Sequence, residues 1–327
     1  MRNIRIVMTT VTYTGKHLER LKQIFAPCEF IQLDSDDNDG IAAALKKADV
    51  AVLVSDLDER YLNAPQLKWI HCDHGGLNMS AKRDVFNKDL IVTSSAGRSS
   101  PALAEHALFF MLALAYHFPA FYEAQKSHVW EIPGQNDFRG IVGRTVGIVG
   151  MGHTGSELAI RAKACAMTVL GYRRRTTPVP AGVDVLYCSD VGDALENMIA
   201  KCDFLVLALP LSDRTYHLIG ERELKMMKSS AYLINLARGA IIDEKALVKA
   251  IQNGWIAGAG LDVFEEEPLP SDNPLWDFQN VLITPHVTPQ VPDRTARSLD
   301  IIEENIRKYR DGEKLTNQLT AEDIYSK

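Results

Sequence analysis

At 327 residues and 36.4 kDa the chain exceeds one hydrophobic core of ordinary size, so two domains are expected. Hydrophobic residues at 46% and charged residues at 24% match globular averages and exclude the disordered and fibrous classes. A net charge of -6 and a pI near 5.9 leave no basic footprint for nucleic acid or an anionic membrane, so the expected partner is a small molecule.

In chain order, the first strand is predicted at residues 4–8, in an N-terminus that alternates apolar and polar residues too early for a signal-peptide core. Apolar, often β-branched runs at 51–54, 69–72 and 91–93 then alternate with helical patterns, the rhythm of parallel α/β. Ser99 or Ser100 is placed to cap a helix with Pro101 at its first position, and the run 102–116 predicts a long, mostly buried helix joining this sheet to a second. Its apolar stretch, 107–116, is too short to span a bilayer. Nearly continuous hydrophobic runs at 145–149, 168–172, 204–209, 231–236, 258–263 and 281–284 predict a second, larger sheet with strands buried on both faces. A helix over 292–309, with Leu299, Ile301, Ile302, Ile306 and Tyr309 near helical spacing, is placed to carry the chain back. Cys28, Cys72, Cys165, Cys188 and Cys202 are odd in number, far apart and without metal-ligand spacing, as expected of free thiols in a reducing, cytosolic compartment.

The sharpest local pattern lies in TVGIVGMGHTG (145–155), a buried strand running into G-x-G-x-x-G and then a helix-like stretch over 156–166. Gly150 permits the tight turn, Gly152 lets the backbone approach a pyrophosphate, and Gly155 allows the helix to pack closely on the strand. The anion would meet the free N–H groups and positive dipole end of that helix. The next strand should end on the residue that meets the adenine ribose, commonly an acid. Here it runs into Arg173, Arg174 and Arg175, whose guanidinium groups suit a 2′-phosphate, so NADP(H) is expected to be preferred, with NAD(H) possible. A solvated basic loop is the alternative reading of that triplet.

Downstream, Arg238, Glu267 and His286 each follow a predicted strand, where ligands of open α/β sheets gather. Reduction of a 2-keto acid needs a cation for the carboxylate, a proton donor for the forming alkoxide and a group that orients the donor, and these three residues supply those roles. Singly, the histidine reads as structural and Arg238 as a partner of the acidic cluster near Glu265. In the first domain, His74-Gly75-Gly76-Leu77-Asn78 follows a strand and is either a carboxylate cradle or an ordinary turn.

Five ordered motifs resemble the D-isomer-specific 2-hydroxyacid dehydrogenases, a family that includes glyoxylate/hydroxypyruvate reductases. They are RTVGIVGMGHTG (144–155), PLSDRTYHLIG (210–220), NLARGAIIDEKAL (235–247), GAGLDVFEEEPLP (258–270) and NPLWDFQNVLITPH (273–286). The resemblance implies two doubly wound parallel-sheet α/β domains: a Rossmann domain over 100–287 inserted into a smaller flavodoxin-like substrate domain of 1–99 and 288–327. It implies that Arg238 binds the substrate carboxylate and carbonyl, that His286 is the acid/base, and that Glu267 raises its basicity. It places Gly75, Gly76 and Arg98 with the substrate. Around the dinucleotide it places Gly150, Met151, Gly152, His153, Thr154, Gly155, the three arginines, Leu209, Pro210, Thr215, Ala237, Asp262 on the nicotinamide amide side, and His286. Hydride transfer is expected in the cleft between domains, with glyoxylate, hydroxypyruvate or pyruvate as substrate. A homodimer is expected by resemblance only, with the 102–116 helix as its surface. Ser99 stands where the family pattern has asparagine, Arg98 is an unusual neighbour for the substrate, and the segment after His286 lacks the usual glycine pair. Formate dehydrogenase is disfavoured because its histidine partner is glutamine. A dinucleotide-sensing corepressor is the alternative from another class, and it would bind cofactor without consuming it.

Overall fold

The computed structural model describes residues 3–288 and 290–327, and the chain divides into two compact units, Met1–Ser99 with Val291–Lys327, and Ser100–Gln290. The first unit holds five parallel strands, β1 (Ile6–Thr9), β2 (Glu29–Gln32), β3 (Val50–Leu53), β4 (Trp69–Cys72) and β5 (Ile91–Ser94), in the order β2-β1-β3-β4-β5. This is the flavodoxin-like order of a doubly wound sheet. Alternation of side chains divides the central strands between two cores. Val7, Val50, Val52 and Trp69 face Leu299, Ile302, Ile306 and Tyr309 of the Arg294–Asp311 helix. Met8, Ala51, Leu53 and Ile70 face the opposite layer. Trp69 stacks on Tyr309 with ring centroids 5.6 Å apart, so the last long helix is tied to the sheet of the first hundred residues.

The second unit holds seven parallel strands, β6 (Thr145–Val149), β7 (Thr168–Arg173), β8 (Val185–Cys188), β9 (Phe204–Leu207), β10 (Tyr232–Asn235), β11 (Gly258–Leu261) and β12 (Val281–Ile283), in the order β12-β11-β10-β9-β6-β7-β8. The strand order reverses at β6 and β9, the switch point where a doubly wound sheet opens a crevice at its carboxyl ends. The Ser100–Ala115 helix buries Ala104, Ala107, Phe110, Met111 and Leu114 against this sheet. Phe110 lies so close to β11 that a Cβ on Gly260 would come within 2.6 Å of its ring, which explains glycine inside a buried strand. Among the described residues no single helix is long and apolar enough to cross a membrane; Ser100–Ala115 and Phe118–Lys126 reach that length only together, across a 66° bend.

Some expectations shift. β2 and β8, one of the two outer strands in each sheet, have no counterpart among the runs read from the sequence. Ser100 lies inside its helix, and its hydroxyl meets the Thr154 hydroxyl at 3.2 Å. The chain rejoins the first unit at Val291.

Candidate active site

The glycine turn sits at the switch point and each glycine there meets a different constraint. Gly150 has φ +101° and its missing Cβ would stand 2.4 Å from the Ala208 carbonyl oxygen at the end of β9. A Cβ on Gly155 would strike the Gly150 carbonyl oxygen at 2.0 Å, so the His153–Ala164 helix can start this close to the turn only with glycine there. Gly152 differs: a Cβ would meet nothing within 4 Å, and no side chain caps the helix that follows. The turn is therefore packed tightly on its protein side and open above the helix N-terminus, the arrangement a pyrophosphate needs. Met151 turns its side chain onto β7, where a Cβ on Gly171 would come within 3.0 Å of its sulfur. His153 is exposed and Thr154 partly buried on the first turn.

Around this turn lie the other residues expected at a dinucleotide. Leu209 closes over Gly150, and Pro210 starts a turn in which the Thr215 hydroxyl donates to the Pro210 carbonyl at 2.8 Å. Arg173 is the last residue of β7, as expected. Its Nη2 donates to the Thr177 and Pro178 carbonyls at 2.5 and 3.1 Å, while its Nε is buried without a hydrogen-bond partner. Arg174 and Arg175 continue the loop.

Arg238, Glu267 and His286 follow the adjacent strands β10, β11 and β12 at the same sheet edge. The structure joins two of them directly: His286 Nδ1 lies 2.7 Å from Glu267 Oε2, while Glu267 Oε1 accepts the Phe264 N–H at 2.9 Å. Nδ1 therefore carries its proton toward the carboxylate, and Nε2 is left to take or give one. The pair stays open, with side-chain exposures of 38% and 35%. Arg238 is partly buried, and the loop carrying it is set by Asn235, whose amide donates to the Arg238 carbonyl at 2.9 Å and accepts the Ala237 N–H at 3.0 Å. Gly239 presses this loop onto the next one: a Cβ there would fall 1.8 Å from the Phe264 carbonyl carbon. Glu265, the sequence's alternative partner for Arg238, is held by His217 at 2.7 Å.

Two of the expected residues, Asp262 and Arg98, have their charged groups met within the protein. Asp262, expected beside the nicotinamide amide, is 1% exposed, and its carboxylate accepts from both Thr284 and Thr288 hydroxyls and from the Val287 and Thr288 N–H groups. Its oxygens are spent on the segment bearing His286, which has φ +51°, a left-handed conformation that costs a non-glycine residue roughly 1 kcal/mol. Arg98, expected at the substrate, is 8% exposed, paired with Asp73 at 2.8 Å and bonded to the Ser298 hydroxyl at 2.8 Å, so its charge is met inside its own unit. Gly75 is open, its nearest neighbour for a Cβ being the Ala96 Cα at 4.0 Å. His106, which the sequence reading passed over, bridges Thr284 and Thr288 from the Ser100–Ala115 helix. The alternate spacing of 284, 286 and 288 around the candidate acid/base was the available signal.

Comparison with known proteins agrees with this geometry. The family described as "D-isomer specific 2-hydroxyacid dehydrogenase, NAD binding domain" matches residues 108–288. The chain is 34% identical over 280 residues to a glyoxylate reductase of Korarchaeum cryptofilum, covering 84% of this chain and 82% of that protein. It is 36% identical to a glyoxylate reductase of Thermococcus gammatolerans, covering 82% of each. Among solved structures, a D-isomer specific 2-hydroxyacid dehydrogenase from Xanthobacter autotrophicus, in complex with NADPH and MES, superposes with a TM-score of 0.81 at 29% identity, covering 98% of this chain and 99% of that one. The chain belongs to the D-isomer-specific 2-hydroxyacid dehydrogenases, a family of dinucleotide-dependent oxidoreductases.

Proposed function

We propose that this enzyme reduces a small 2-keto acid, glyoxylate foremost, with NADPH as the preferred reductant. The observation that carries the proposal is the His286–Glu267 pair, open at the carboxyl edge of the same sheet whose switch point holds an uncapped, glycine-lined helix N-terminus. The bound dinucleotide supplies the hydride. Everything else falls to the chain. Arg238 offers a guanidinium to the substrate carboxylate and polarises the keto oxygen. His286, protonated at Nε2, gives that proton to the oxygen as the carbonyl becomes a hydroxyl, and Glu267 holds the ring and its positive charge. The loop bearing Gly75 and Gly76 is read as a substrate-carboxylate contact on the family resemblance, and Arg98 pairs with Asp73 at the start of that loop.

NADPH is proposed because the end of β7 carries Arg173 where an acid would repel a 2′-phosphate, and because the buried Arg173 Nε is a donor still lacking an acceptor. The relatives that match over most of this chain include glyoxylate reductases, and one structural neighbour is bound to NADPH. A homodimer belongs to the same proposal, since Phe109, Leu112, Tyr116, Phe118 and Tyr122 remain exposed as an apolar strip of a kind uncommon on monomers. The test is steady-state kinetics over glyoxylate, hydroxypyruvate and pyruvate with both cofactors, on a preparation sized by light scattering. The expected result is NADPH oxidation by a dimer, fastest with glyoxylate, with Arg173→Ala and Arg174→Ala narrowing the margin over NADH. Cofactor binding without turnover of any of the three acids, or preference for NADH, would contradict it.

A further inference from the structure

Asp262 and the two threonines form a closed set whose proton count requires a further donor. Each threonine hydroxyl has one proton, and each donates it to the Asp262 carboxylate at 2.5 Å. A carboxylate has none to return, so toward His106 both hydroxyl oxygens can act only as acceptors. A neutral imidazole carries a single N–H, and the distances assign it: Nδ1 lies 2.6 Å from the Thr288 oxygen, Nε2 3.3 Å from that of Thr284. Burial depresses basicity at His106, with Asp262 acting in the opposite sense, which agrees with the neutral ring. The ring is seated against Phe110, centroids 4.5 Å apart, so its donor is aimed by packing.

We propose that His106 is a positioning residue for proton transfer, acting on His286 through Thr288 and Asp262. The inference rests on the reading of His286 as the acid/base. The path is short. His106 Nδ1–H donates to Thr288, which fixes that hydroxyl onto Asp262. The same carboxylate accepts the N–H groups of Val287 and Thr288 at 3.1 and 3.2 Å, the two residues after His286. The Asp262 carbonyl accepts the N–H of His286 itself at 2.9 Å. The left-handed backbone at His286 is thus fastened on both sides of its Cα, and Glu267 fastens the ring. Removing the His106 N–H leaves the Thr288 oxygen without its donor and frees the hydroxyl to turn from Asp262. The backbone N–H bonds to Asp262 remain, but the carboxylate that receives them loses the hydroxyl that fixes it, and the His286 ring is held less closely in place.

The experiment compares His106→Phe, which keeps a ring against Phe110 but has no N–H, with His106→Asn, whose amide restores a donor near the Nδ1 position. Turnover is measured per NADPH site titrated by fluorescence, so that loss of folded enzyme does not enter. For His106→Phe the expected result is kcat lowered about tenfold with KM for glyoxylate and NADPH within about twofold, and a larger isotope effect with deuterated NADPH. His106→Asn should recover most of the rate. Wild-type turnover per site in His106→Phe, or equal impairment of both variants, would overturn the inference. Should His106→Phe not fold, Thr288→Val against Thr288→Ser reads the same hydroxyl, and equal rates in those two would overturn it. His286→Ala run alongside separates the two claims: activity surviving there defeats the acid/base reading, whereas activity lost there and intact in His106→Phe defeats this inference alone.

Discussion

Both sheets end in polar residues at their carboxyl edge, and the first unit turns its own inward. At β4 and β5, Trp69 Nε1 donates to Thr93, whose hydroxyl meets His71 Nδ1 at 2.9 Å; His71 Nε2 meets Ser95 at 2.9 Å, and Ser95 donates to Asp73, which pairs with Arg98. Each donor finds an acceptor with the ring neutral, and the chain of bonds is closed to water. At β11 and β12 the buried members, Asp262 with its threonines, are also spent on one another, but they hold outward a second pair, His286 and Glu267, each more than a third exposed. The same edge of the same kind of sheet therefore serves as scaffold in one unit and presents chemistry in the other. Solvent exposure of the last titratable pair separates the two cases.

That contrast predicts opposite responses to mutation. The largest effect is expected from Asp73→Ala, which strands the buried Arg98 guanidinium and should cost about 3–5 kcal/mol of stability; urea unfolding reads it, and a loss below 1 kcal/mol would make the pair no scaffold. Next comes His286→Ala, expected to lower kcat about 100-fold or more while leaving the urea midpoint nearly unchanged, because an exposed side chain is removed. Turnover close to that of the unmutated enzyme would move the proton donor elsewhere.

The smallest effect is one of pH. Burial pushes the His71 imidazole down to about 4, with Asp73 opposing. In the unfolded chain the ring binds a proton near pH 6.5, so the stability it contributes is complete above that pH and is lost as pH falls toward 4. The slope should approach about 1.4 kcal/mol per pH unit. Unfolding midpoints measured from pH 7 to 4 should fall over this window, and less so in His71→Phe; identical slopes in the two proteins would show that His71 takes up its proton in the folded protein as readily as in the unfolded chain.

The legibility of these features in the sequence follows burial. Central strands such as β3, β9 and β10 are buried throughout and almost wholly apolar because both faces are covered, and each lies within or beside the run that predicts it. β2, with sequence EFIQ, and β8, with VLYC, are outer strands with exposed positions, and a four-residue half-wet strand has too little pattern to stand out. The glycine turn was readable because each of its glycines answers a backbone constraint that only that residue type meets. Arg98 was expected at the substrate, and nothing in the order of residues shows that Asp73 lies across from it. Arg173 was placed correctly at its strand end, whereas its contact with the carbonyls of its own loop is a matter of local folding.

From the residues alone came the two-sheet α/β class, the dinucleotide turn and the three polar groups after successive strands, since each depends on local periodicity or on a residue type at a fixed offset. Only the tertiary structure decided that Asp262 and Arg98 are consumed internally and that His106 stands behind Thr288, 182 positions away in sequence. Those are contacts across loops and layers, fixed by which strands lie side by side, and strand order is a property of the packed sheet.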